Sequence, residues 1–79
     1  MDYPIDYEQY TIEEIILLVS FLSDLERYKE NPKQIDQADL KKSYASFKRV
    51  INNMSEEKRI DQAFEKQTNI SIYKTMKAL

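Results

Sequence analysis

The side chains in this sequence that could begin chemistry are carboxylates and hydroxyls: Glu13–Glu14, Asp36 with Asp39, Glu56–Glu57, and the serines Ser20, Ser43 and Ser46. Asp36 and Asp39 stand three residues apart, a spacing that puts two carboxylates on one helix face where they could share a proton or an ion. The chain contains no His and no Cys, which removes the commonest general base, the commonest metal ligand and every thiolate site. Di-metal sites in helical bundles combine Glu with a Glu-x-x-His pattern, which this chain cannot form. The adjacent Glu pairs fall in the first turns of helical patterns, where the helix dipole alone accounts for acids. The serines have no imidazole to activate them, and every lysine falls on a polar face or in a loop, so no Ser–Lys dyad is built. With no Gly in the chain, the glycine-rich loops that cradle nucleotide phosphates are excluded. The residues point to no catalytic, cofactor-binding or metal site, no small-molecule substrate and a protein that is not an enzyme.

Basic residues offer a second chemistry. Lys41 with Lys48, and Lys42 with Arg49, form two rows at a spacing of seven on one helical pattern, the kind of face that meets phosphates. The pattern that follows opposes Glu56, Glu57, Asp61 and Glu65 to Lys58, Arg59 and Lys66, a net −1 where a nucleic acid would have to approach. The whole chain is also acidic, with a formal net charge of −2. A weak nucleic-acid or ribonucleoprotein accessory using Lys41, Lys42, Lys48 and Arg49 is therefore the alternative reading. The charge is unevenly spread: residues 1–26 hold seven acids and no base, and residues 27–79 hold twelve bases and seven acids. That −7 against +5 suits two halves that attract one another within one bundle.

The elements that must position these residues are all helices. Without Gly, tight hairpins are disfavoured, whereas helices can end on Asn in the left-handed conformation, and Asn31, Asn53 and Asn69 fall where three helical patterns stop. Thr11 and Glu14 form a capping box at the start of a helix over about 12–29. Pro32 closes it, and residues 30–35 form a loop. Asp36 caps a helix over about 37–52 in which Leu40, Tyr44, Phe47, Ile51 and Met54 make one apolar stripe. Ser55 caps a helix over about 56–68 carrying Ile60, Ala63 and Phe64, and Ser71 caps a last helix over about 72–78 carrying Ile72, Tyr73, Met76 and Leu79. Ahead of them lies an arm, residues 1–10, with Tyr3, Tyr7 and Tyr10, whose rings can cover apolar surface while the hydroxyls stay wet. The expectation is one all-α domain over residues 1–79, a small, partly open three- to four-helix bundle with an extended aromatic N-terminal arm.

The first helix is apolar around most of its circumference. Ile12, Ile15, Ile16, Leu17, Leu18, Val19, Phe21, Leu22, Leu25 and Tyr28 leave one narrow stripe of Glu13, Ser20, Asp24 and Arg27, so the helix reads as a central post needing cover on nearly all sides. A chain this short has few elements to cover it with, and a stripe left bare would be filled by a protein partner, itself included. Leu17, Phe21 and Tyr28 flank the polar stripe and are the expected partner or homodimer face. The function expected is a non-catalytic protein-interaction or self-associating module. The start Met1-Asp2-Tyr3-Pro4 lacks a signal peptide's basic and apolar regions. The longest nearly apolar run, Ile15 to Leu22, is too short to span a bilayer, so the expected location is the cytoplasm, with no membrane partner.

Several short pieces together resemble a known family. Tyr3-Pro4, Asp6-Tyr7 and Thr11-Ile-Glu-Glu-Ile-Ile at the start, Tyr44 with Phe47-Lys48, Phe64-Glu65-Lys66, and Ser71-Ile-Tyr-Lys at the end are similar to the uncharacterised protein family numbered 0223, small proteins of Gram-positive bacteria. The resemblance covers essentially the whole chain. It implies a small cytoplasmic all-helical protein and transfers no active-site residue.

Overall fold

The computed structural model describes residues 3–79; Met1 and Asp2, the first two residues of the expected arm, lie outside them. Four α-helices follow the arm: α1 (Ile12–Glu30), α2 (Gln37–Val50), α3 (Met54–Thr68) and α4 (Ile72–Lys77), with a single 3₁₀ turn, Pro32–Gln34, between α1 and α2. The fold is all-α. α1 packs along α2 and against the 3₁₀ turn, and α4 folds back on α3. At a rise of about 1.5 Å per residue α1 is roughly 28 Å long, which spans most of the molecule's 34 Å axis.

Local chemistry sets each boundary. The Thr11 hydroxyl accepts the Glu14 N–H at 3.2 Å and the Glu14 carboxylate accepts the Thr11 N–H at 2.9 Å, so the capping box is fully formed. α1 stops at Glu30 because the proline ring at position 32 drives the residue before it out of the helical region. Asn31 accordingly sits at φ −152°, ψ 102°, extended and not left-handed as the sequence suggests, and its side chain accepts from Lys33 N–H at 3.1 Å to start the 3₁₀ turn. Asp36 caps α2 by accepting from Ala38 N–H at 2.9 Å. Only Asn69 takes the left-handed conformation, at φ 63°, ψ 21°, where its N–H reaches the Glu65 carbonyl at 2.7 Å.

The α2–α3 junction departs from the sequence reading. Asn53 is extended, at φ −116°, and its side-chain oxygen accepts from both Ser55 and Glu56 N–H, at 2.8 and 3.3 Å. It takes the cap that the sequence assigns to Ser55, because one carbonyl oxygen there satisfies two orphan amides. The consequence is that α2 ends at Val50, α3 begins at Met54, and Met54 leaves the buried stripe of α2 for an exposed first turn.

The core draws on every element. Leu18, Phe21, Leu22 and Leu25 of α1 meet Leu40 and Phe47 of α2, Ile60 and Phe64 of α3, and Ile51, Ile70 and Ile72 from the connections and α4. Phe21 lies 4.9 Å from Phe47 and 5.3 Å from Tyr44, ring centre to ring centre, so the α1–α2 seam is aromatic and each ring contributes several kcal/mol of burial, about 1.5–3 for a Phe side chain. The arm closes the far side: Ile5 is buried, Tyr3 and Tyr10 pack on the core, and Tyr3 meets Phe64 at 6.4 Å. α1 therefore buries one stripe, at spacings of three and four, and is not covered all round. Ile12 and Ile16 are 74% and 58% exposed.

Candidate functional site

Of the carboxylates and serines that could start chemistry, Glu14, Asp36, Ser43, Glu56 and Glu57 have structural partners. Asp36 caps α2. Ser43, part of the serine set, donates to the Asp24 carboxylate at 3.1 Å and ties α2 to α1, while Arg27 stands 3.6 Å from the same carboxylate. Asp24 is thus a cross-helix acceptor and not only a solvated stripe residue. Glu56 pairs with Arg59 on α3. Asp61 reaches from α3 to accept the Ile72 N–H at 2.8 Å, and Ser71 accepts the Lys74 N–H at 3.2 Å, so two orphan amides of α4 are satisfied by side chains from different elements.

The three residues expected as a partner face differ in exposure. Phe21 is fully buried in the chain's own core, and Leu17 and Tyr28 are half-buried. The exposed apolar groups of α1 are Ile12 and Ile16, which the wheel placed farthest from the expected face. A helix apolar round most of its surface carries no internal signal for which side its own chain covers.

The four residues expected as a basic face are exposed on α2 but differ in their surroundings. Lys48 Nζ lies 3.3 Å from the Glu57 carboxylate and 5.7 Å from the Tyr44 ring centre. The hydrogen bond to Glu57 and the charges of Tyr44 and Glu57 hold its ammonium above the ordinary lysine value. Among the described residues Lys41, Lys42 and Arg49 make no ion pair.

Lys48 belongs instead to a groove of about 470 Å³ between the end of α2, the first half of α3 and the start of α4. Its apolar lining is Tyr44, Met54 and Tyr73. Tyr44 stacks on Phe47 at 6.3 Å and is held from below by the core, and burial pushes its phenol above the ordinary value of 10.0. Met54 and Tyr73 are 72% and 60% exposed. Around them stand Lys48 paired with Glu57, Asp61 engaged by the α4 amide, and Lys58 and Lys74, which make no ion pair among the described residues. The groove thus combines three apolar side chains with two cations that make no ion pair among the described residues. Sequence reading placed Met54 in the apolar stripe of the second helix and Tyr73 in the apolar spacing of the last; the competing cap at Asn53 is what exposes Met54, and the shortness of α4, six residues, leaves one of its faces with nothing to pack on.

A small all-α protein with no assigned chemistry and an apolar, cationic groove is what fold and surface define. The chain belongs to the uncharacterised protein family UPF0223, whose model matches residues 1–79. A UPF0223 protein of Listeria innocua is 43% identical over 74 residues, covering 94% of this chain and 79% of the relative. Those of Bacillus cytotoxicus and Streptococcus agalactiae are 38% and 36% identical, covering 94% and 96% of this chain and 80% and 78% of theirs. No solved structure matches significantly. Among the described residues no helix is long and apolar enough to cross a membrane.

Proposed function

We propose that this protein is a non-catalytic, cytoplasmic protein-interaction module that holds an acidic, amphipathic segment of a partner in the groove between α2, α3 and α4. The observation that carries this reading is the exposure of two large apolar side chains, Met54 and Tyr73, on one concave surface with Lys58 and Lys74 beside them. Leaving such groups in water is costly unless they are covered at work, and unpaired lysines at the rim select acidic partners and speed their encounter. Helices laid in grooves are recognised in this way, through a few apolar anchors at helical spacing.

The nucleic-acid alternative has less support, since the Lys48–Glu57 pair takes one of its four cations and the helix that follows carries a net −1. The experiment is a titration of the ¹⁵N-labelled protein with two synthetic helical peptides, one with an isoleucine face flanked by Glu and one in which every Glu is Lys. The Glu peptide is expected to shift the amides of Met54, Lys58 and Tyr73, and Tyr73→Ala with Lys74→Glu to abolish the shifts. Equal response to both peptides, or shifts confined to α2, would overturn it.

A further inference from the structure

We infer that the segment the groove holds is the start of α1 of a second copy of this chain, so that two copies exchange a ridge for a groove. The inference rests on the groove being a protein-binding site. Ile12 and Ile16 stand one turn apart on α1 and form an exposed ridge. The ridge lies in the acidic part of the chain: Glu13 adjoins Ile12 in sequence and is exposed, as are Asp6 and Glu8 of the arm, and residues 1–26 contain no base. The groove offers the complement, an apolar lining of Tyr44, Met54 and Tyr73 and the cations Lys58 and Lys74. Ile12, Ile16, Met54 and Tyr73 are all exposed in the one chain, so the ridge does not fill its own groove and both surfaces are open to a second copy.

Charge supports the same conclusion. The attraction expected between the acidic and basic parts is not realised as a bridge between helices. Among the described residues the ion pairs are Asp24–Arg27 within α1, Glu56–Arg59 within α3 and Lys48–Glu57 between α2 and α3, and only the first joins the two parts. Among the described residues Asp6, Glu8 and Glu13 of the acidic part and the bases of the basic part are exposed, an arrangement in which a second copy meets opposite charge where ridge faces groove. A specific interface takes about 800 Å² from each partner, more than a two-residue ridge supplies. A two-fold pair uses the contact twice and closes, which leaves no free ridge or groove to propagate a chain of copies.

The test separates ridge from groove. One variant carries Ile12→Ser and Ile16→Ser, the other Tyr73→Ala and Lys74→Glu. All four positions are exposed, and circular dichroism of each variant checks that the helices remain. Sedimentation velocity of the full chain from micromolar to millimolar concentration is expected to show a monomer–dimer equilibrium that weakens with salt, and each variant alone to associate at least about tenfold more weakly. Mixing the two variants restores one ridge-in-groove contact of the two, so fluorescence transfer between differently labelled variants is expected in the mixture and in neither variant alone. A wild-type chain that stays monomeric at millimolar concentration overturns the inference, as does a mixture that associates no better than its parts, which would mean like surfaces pair with like. In either case a groove that still responds to the Glu peptide leaves the protein-binding reading standing and shows that its partner is a different protein.

Discussion

Asp24 shows how one hydrogen bond changes the role of a residue. On a helical wheel it belongs to the polar stripe of α1, where an alanine would cost little. In the structure its carboxylate accepts the Ser43 hydroxyl at 3.1 Å across the α1–α2 seam, next to the Phe21–Phe47 contact, with about a fifth of the side chain exposed. Hydrogen bonds to a charged acceptor contribute about 1.5–3 kcal/mol when shielded from water. Partial exposure puts Asp24→Ala below that range, at about 1 kcal/mol in urea unfolding. Ser43→Ala should cost a similar amount, and the double variant clearly less than the two together, because both remove the same bond. Additive losses would show that the hydroxyl and the carboxylate act separately. Phe21, three residues before, is fully buried, so any substitution there reports on folding and carries no information about association.

Among the helices, what was legible in the sequence was whatever a single residue decides locally. Thr11 with Glu14, Asp36 and Ser71 are caps by type and position, and each makes the bond its type implies. The fold class followed from periodicity and from the missing glycines. Two things were not local. Asn53 and Ser55 are both competent caps two residues apart, and only the geometry of the incoming chain decides between them. The rotation of α1 depends on which of its apolar sides α2 and the arm reach first, and that is a property of three elements together. The groove inherits both, since Met54 lies in it only because Asn53 is the cap. Asn53→Ala should therefore destabilise by about 1 kcal/mol, the usual worth of an N-cap, and Ser55→Ala should stay within about 0.5 kcal/mol. Thermal unfolding of the pair decides it, and the reverse order would return the cap to Ser55 and move Met54 back toward α2.

At the scale of the whole molecule, tyrosines hold the arm and the α2 seam to the core, and this gives stability a pH dependence at its alkaline end. Burial, then the neighbouring Glu26 carboxylate, raises the phenol of Tyr3; burial, then the charge of Glu56, raises that of Tyr10; burial raises that of Tyr44 against the pull of Lys48. A phenol raised in the folded state is harder to ionise there than in the unfolded chain. Its contribution is complete below the ordinary value of 10.0 and is lost as pH rises from there through the raised value. Stability measured by urea unfolding should be flat in this respect at neutral pH and decline above about pH 10, and Tyr44→Phe should decline less steeply than the parent. An unchanged slope in that variant would assign the alkaline loss to the arm. Asn69, the single left-handed residue among those described, has a wider meaning in a chain with no glycine. Glycine is the residue that gives an unfolded chain most of its extra freedom, and its complete absence means that every position outside the fold is already sterically confined. Part of what keeps this small protein folded is thus located in no contact: the disordered chain has fewer conformations to escape into.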